Sequence, residues 1–340
     1  MRPARLPRTT AAIAAAIAMA ALGCGRKAQS DGAARAVTGL AAVPSGVVAV
    51  VGFDVKRLAS APLVQRAAQQ LLARRPELGE RLTKLEADCQ LDLTSKLDRV
   101  ILASGPRAAS GEQPVLLVAS GQIAEASLTA CLEKSVGAGG GSVTGDTEQG
   151  RTIYQVKDGR RTVFYGFGKE DTVVLGNDRA WVVKALGEGP KIQDDAEMKA
   201  FIGMSDQASP AWLAARVDAK VGQGLVRVSS GAIKAGPTAI FGALDPTDGV
   251  RAELGAVMSS EDDAKALESF AKSETGILAL AAQWKGLGRA VARTEITRDR
   301  GSVKLRLALT ADEVKELFSA IDSVPAETQD AHPGSVPPSP

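Results

Sequence analysis

The chain has 340 residues, 41 Lys and Arg against 39 Asp and Glu, a formal net charge of +2, and only 4% aromatic residues. With no Lys/Arg cluster of five or more and few stacking side chains, it lacks the footprint of a nucleic-acid binder. Its one histidine, His332, sits in a terminal stretch, which excludes Ser/His/Asp and Cys/His nucleophile systems and a His-rich zinc site, since each needs an imidazole inside the fold.

Residues 1–23 begin with Arg2, Arg5 and Arg8 and continue in an apolar run from Ala11 to Leu22. That run is too short for a membrane-spanning helix, which needs about 20 apolar residues, so it reads as an export signal. Its removal takes three Arg and no acid, leaving 38 bases and 39 acids, net −1. Ala20-Ala21-Leu22-Gly23-Cys24 resembles the bacterial lipobox, departing from it at Ala21, where Leu is usual. The resemblance implies that Cys24 carries a lipid, becomes the new N-terminus and anchors the protein to a membrane outside the cytoplasm. Gly25, standing where Asp would signal inner-membrane retention, points to the outer membrane. Residues 24–42 are short of large apolar groups and read as a flexible tether.

Two tandem copies follow, 43–190 and 191–322. Ser45 to Lys56 and Ser209 to Lys220 both read as a strand ending in Asp-x-Lys, at Asp54 and Asp218. The first copy then inserts two helical pieces over 60–89, broken at Pro76, where the second has only Gly222 to Ala235. Strands at Leu97–Ala103 and Val115–Ser120 answer Thr238–Leu244 and Val250–Met258. An amphipathic helix follows each pair, from about Ala124 and from Ser259-Ser260, the latter with Glu261-Asp262-Asp263 in a first turn that the helix dipole favours.

Each copy closes with a hairpin and a helix. Thr152–Val156 and Arg161–Phe167 flank Asp158-Gly159, a tight-turn pair, and are set against Arg293–Thr297 and Ser302–Leu309. Val303, Leu305, Leu307 and Leu309 alternate with Lys304, Arg306 and Ala308, as in an antiparallel strand with one wet face. The last helices start at Asn177 or Asp178 and at Thr310, where Thr310-Ala-Asp-Glu313 is a capping box. Between the copies, Ile192–Ile202 is a short capped helix. Residues 323–340, rich in Pro and polar groups, read as a disordered tail. The fold class is therefore α+β: two tandem antiparallel-sheet units with helices packed on one face, with a single extended sheet left open as an arrangement.

Asp194, Asp195, Phe201 and Asp218 fit an Asp-Asp-x5-Phe helix handing off to a strand that ends in Asp. In this the chain resembles duplicated α+β families of bacterial envelope lipoproteins that carry no assigned activity, over residues 43–322. The resemblance implies a fold and no chemistry.

Candidate sites are few. Cys89 and Cys131 are spaced wrongly for a metal knuckle or a redox Cys-x-x-Cys pair, and export permits either a disulfide between them or two buried thiols. Gly137–Gly141 lacks the Lys-Ser/Thr of a phosphate loop, and Gly166-Phe-Gly168 lacks the third glycine of a dinucleotide site. Asp194-Asp195 and Glu261–Asp263 are explained by helix capping, so no metal and no cofactor is expected. Asp54 and Asp218 are the shared positions that a carboxylate enzyme would use, against the plainer reading that each caps the next turn.

The function expected is that of a non-enzymatic, lipid-anchored envelope protein that binds or scaffolds, its partner an unidentified envelope protein. The alternative is a carrier of an apolar ligand such as lipid, with Ala211–Ala215 and Ile277–Ala282 among the small-residue segments able to line a cavity. A His-independent hydrolase is the second alternative. Cys24→Ser is expected to move the protein from the membrane to the soluble fraction on envelope fractionation; unchanged membrane association would overturn the anchor.

Overall fold

The computed structural model describes residues 37–89, 93–109, 111–148, 150–159, 161–168, 171–229, 231–283 and 288–322; Cys24, the segment 1–23 expected to be an export signal and the stretch 323–340 expected to be a tail lie outside the described residues. The first half comprises β1 (Ala49–Asp54), α1 (Val55–Ser60), α2 (Pro62–Arg74), α3 (Pro76–Cys89), α4 (Leu93–Lys96), β2 (Leu97–Ser104), β3 (Val115–Gly121), α5 (Glu125–Gly137), β4 (Ser142–Glu148), β5 (Arg151–Asp158), β6 (Arg161–Phe167), β7 (Thr172–Gly176) and α6 (Arg179–Leu186). A 3-10 turn (Ile192–Asp194) and α7 (Ala196–Met204) link it to the second half. That half comprises β8 (Ala211–Arg216), α8 (Ala219–Val228), β9 (Ala239–Asp245), β10 (Val250–Val257), α9 (Glu261–Gln283), α10 (Gly288–Ala292), β11 (Glu295–Asp299), β12 (Ser302–Leu309) and α11 (Ala311–Asp322).

The helices start where the sequence supplies caps. The Asp54, Asp178 and Asp195 carboxylates each accept a backbone N–H at 3.0 Å, from Arg57, Trp181 and Met198. The Glu313 carboxylate accepts the Thr310 N–H at 2.9 Å while the Thr310 hydroxyl accepts the Glu313 N–H at 3.3 Å, completing the expected capping box.

The strands form one open, antiparallel, twelve-stranded sheet in the order β11-β12-β10-β9-β8-β1-β2-β3-β7-β6-β5-β4. The two copies therefore share a single sheet, joined where β1 pairs with β8. Within that pairing Val50 lies opposite Ala214. Each stands four residues before its Asp, so equivalent residues of the two copies face each other across a local two-fold. Outward from it, β1-β2-β3-β7-β6 is matched by β8-β9-β10-β12-β11.

This order corrects one correspondence. The sequence sets the 152–167 hairpin against 293–309, but β12, beside β10 and leading into α11, holds the place of β7, beside β3 and leading into α6. The surplus of the first copy is thus the β4–β5 hairpin as well as α2–α3. Strand β7 escapes periodicity because Thr172, Val173, Val174 and Gly176 are all buried, so its five residues show no alternation.

The helices, expected on one face, are divided between both. On one face, Val50, Ile101, Leu116, Val118, Trp212 and Ala214 pack with Val182, Ala185 and Leu186 of α6, Met198, Phe201 and Ile202 of α7, and Val37, Ala42 and Val43 around the 3-10 turn Gly39–Ala42. Residues 37–42, read as tether, are therefore part of the core, with Val37 only 2% exposed and Ala42 fully buried. On the opposite face, Leu128 and Leu132 of α5 cover Ala119, Val173 and Tyr165, and Ala264, Leu267 and Phe270 of α9 cover Ala256, Val303 and Ile296.

Cys89, at the end of α3, and the buried Cys131 of α5 form a disulfide with Cα atoms 4.8 Å apart, closing a separation of 42 residues. Such a loop stabilises a fold by about 4 kcal/mol in the chain-entropy model.

Gly52 of β1 seats the Trp212 indole, and a methyl group built there would overlap its ring. Gly52→Ala is expected to destabilise the protein by about 1–3 kcal/mol in chemical denaturation, whereas Gly189→Ala, with nothing within 4 Å of the new methyl, should stay within about 0.5 kcal/mol of the parent.

Candidate binding surface

The central strands are apolar on both faces, and the two faces fare differently. On the face closed by α6, α7 and the N-terminal turn, Val50, Ile101, Ala103, Trp212, Ala214, Ala239 and Phe241 are all buried. On the other face, register aligns Leu102, Val51, Leu213, Gly242, Leu254 and Leu305 in one row across β2, β1, β8, β9, β10 and β12. Val100, Phe53, Ala211, Leu244, Ala252 and Leu307 make the next row. Apart from Gly242, none of these side chains is buried, and Leu102, Leu244 and Leu254 are 37%, 40% and 53% exposed. The floor so formed contains no charged or polar group and spans roughly 25 Å across six strands. Helix α5 flanks it over the first half and α9 over the second.

A sequence signal for this floor exists. An antiparallel strand with one wet face alternates, as β12 does, but β1 (Ala-Val-Val-Gly-Phe), β8 (Ala-Trp-Leu-Ala-Ala) and β9 (Ala-Ile-Phe-Gly-Ala-Leu) do not. Continuous apolar strands declare two apolar faces. They do not declare that only one will be filled. Ala211 and Leu213, from a segment expected to line a cavity, fall on the floor, and Ile277 of the second such segment is 58% exposed on α9.

The two shared carboxylates are not brought together. Asp54 N–H bonds to the Pro210 carbonyl at one end of β1–β8, and Asp218 follows β8 at its other end, on the order of 25 Å away at the rise of extended chain. Each accepts a backbone N–H at the start of a helix, Asp54 from Arg57 and Asp218 from Lys220 at 2.7 Å. Asp54 borders a groove of about 710 Å³ with Arg99, Gln193, Gln207 and Trp212. Its charges are largely committed: Lys56 pairs with Asp98, and the Arg57 guanidinium donates to the Ala208 carbonyl and to Asp245. Among the described residues no cluster of three metal-ligating side chains occurs.

The motif residues between the halves hold the join. Asp194 accepts the Lys191 N–H at 2.8 Å, and the buried Lys191 ammonium donates to the carbonyls of Lys184 and Ala185 at the end of α6, where the helix dipole favours a cation. Arg216, at the end of β8, makes two bonds of 2.9 and 2.8 Å to Asp195, one of 2.8 Å to Glu197 and one of 2.7 Å to the Val47 carbonyl. It thereby ties α7, β8 and the entry to β1 together. Burial raises the Asp195 pKa, but the Met198 N–H and the Arg216 guanidinium outweigh it and hold the carboxyl below its ordinary 3.8. On the same face further out, Glu253 takes bonds from Arg306 and Lys304, which outweigh the effect of burial and likewise lower its pKa. Burial pushes the Tyr165 hydroxyl up to about 12 beside α5.

No family model matches the sequence, and no curated protein matches it. Among solved structures, the chain is similar to crystal form I of TP0453, a Treponema lipoprotein, at 12% identity and a TM-score of 0.45, over 83% of this chain and 96% of that one. A likeness at this level carries no functional argument.

Because the fold lowers the Asp195 pKa, the ionised carboxylate stabilises the protein above pH 3.8 and that contribution is lost as pH falls through the lowered value. Asp195→Asn is expected to cost about 1–3 kcal/mol at pH 7, with the difference from the parent shrinking in denaturation curves taken below pH 3.8.

Proposed function

We propose that the protein is a non-enzymatic envelope protein, anchored through a lipid on Cys24, that binds an apolar ligand of the lipid class on the open face of its sheet. The single observation that carries this reading is the floor of β1, β2, β8, β9 and β10: apolar at every position of both rows, yet without one buried side chain apart from Gly242, while the reverse face of β1, β2, β8 and β9 buries Val50, Ile101, Trp212 and Phe241. Leaving such a surface in water costs roughly 25 cal/mol per Å² of apolar area, and an acyl chain laid on it would recover that energy without needing a polar partner. The separation of Asp54 from Asp218, each engaged as a cap, supports binding over a carboxylate-pair hydrolase. Among the described residues no helix is long and apolar enough to cross a membrane, and the reading places membrane attachment on Cys24.

The test is binding of cis-parinaric acid, a fluorescent fatty acid, together with native mass spectrometry of mildly extracted protein. A lipid-sized adduct and saturable fluorescence are expected. Leu254→Lys, on the floor, should weaken binding at least about tenfold, equivalent to about 1.4 kcal/mol. Val221→Lys, at a valine of α8 that is 70% exposed, should leave it unchanged. Equal loss in both variants, or no adduct and no saturable signal, would overturn the reading.

A further inference from the structure

The α2–α3 insertion has an unusual place in the fold. Helix α2 carries no buried residue, although Leu63, Val64, Ala67, Leu71 and Leu72 recur along it at helical spacing. Leu71 is 54% exposed, and Leu78 of α3 is 38% exposed. The pair is held at its ends. Near its start, the Arg66 guanidinium lies 4.9 Å from the centroid of the Phe318 ring on α11, in the second half. There Pro62, Leu63, Pro246, Val314 and Phe318 surround a hollow of about 270 Å³, so even this seat is incompletely filled. At its finish, Cys89 is bonded to Cys131 of α5, which packs on the same face as the floor. The insertion therefore runs from one half of the sheet to the other, fastened by a cation on a ring and by a covalent bond.

One molecule thus presents two apolar surfaces, the strap at Leu71 and Leu78 and the floor at Leu102, Leu244 and Leu254, that both stand open to solvent. Well-packed interiors do not leave such pairs apart, because contact would bury both. We propose that α2–α3 is a strap that closes over an acyl chain lying on the floor, so that the ligand is held between strap and sheet. This rests on the reading of the floor as the binding surface and adds a second wall, with the Cys89–Cys131 bond as its fixed end and the Arg66–Phe318 contact as its releasable one. The occupant is a single acyl chain: the floor offers no charge or hydrogen-bonding group, and the strap's unburied positions Leu71 and Leu78 are likewise aliphatic.

The full mature chain is tested with a diazirine-bearing fatty acid and with cis-parinaric acid. Photolabelling of the parent protein should mark peptides from 62–89 and from the floor strands together. The double variant Leu71→Lys/Leu78→Lys, folded by circular dichroism, should bind parinarate at least tenfold more weakly. Arg66→Ala should speed ligand release several-fold with the disulfide intact. Label confined to the sheet, with strap variants binding as the parent does while Leu254→Lys still abolishes binding, would overturn the strap and leave the floor standing. Loss of the floor reading would show differently, as Leu254→Lys binding normally.

Discussion

The pairing of β1 with β8 is the constraint on which the rest of the structure depends. It fuses two copies into one sheet, and it does so with Val50 and Ala214 in direct opposition, both fully buried. Side chains alternate along a strand, so this register decides at once which residues of six neighbouring strands share a face. A slip by one residue would send Trp212 and Val50 to the open side and Val51 and Leu213 into the core. The Arg216 cluster guards that register, because one guanidinium bonds the helix between the copies and the carbonyl of Val47 in the chain leading into β1.

From the register follows an asymmetry that most antiparallel sheets avoid. Sheets with one exposed face usually carry polar residues on it, and the outer strands here obey: Lys304 and Arg306 pair with Glu253 across β12 and β10. The central strands β1, β8 and β9 do not, being apolar on both sides, while the helices on the second side stand over β3, β6 and β7 in the first half and over the Ala256 end of β10, β12 and β11 in the second. A protein that leaves this much aliphatic surface uncovered in the middle of its sheet forgoes stability that a few polar substitutions or a displaced helix would supply. That uncovered surface is what the proposed binding role rests on.

The positions that stand out in the sequence prove to be architectural. Asp54 and Asp218 cap helices at opposite ends of the central pair, Asp195 and Phe201 fasten α7, and Asp194 orders the turn before it. Their recurrence reflects duplication of a strand-to-helix junction, which needs a capping oxygen at the same point each time. The residues that form the floor, by contrast, are Leu, Val, Phe and Ala with one Gly, and no motif among them. Binding through dispersion and exclusion of water needs no particular atom in a particular place, so it leaves no spacing to find.

What the sequence determined by itself is local or periodic: the capped helix starts, the alternating strand β12, the duplication and its Asp-to-Asp alignment, which the pairing of Val50 with Ala214 obeys. These are written in neighbouring residues, and short-range hydrogen bonds and periodicity suffice to read them. Only the tertiary structure decided that the two copies share one sheet, that β4–β5 is the surplus hairpin, that residues 37–42 are core, and that helices cover part of each face. Above all it decided which of two equally apolar faces would be sealed. The reason is physical: a strand's sequence states how apolar its two sides are, whereas burial depends on which distant helix arrives to cover them, and that is settled by contacts between residues far apart in the chain.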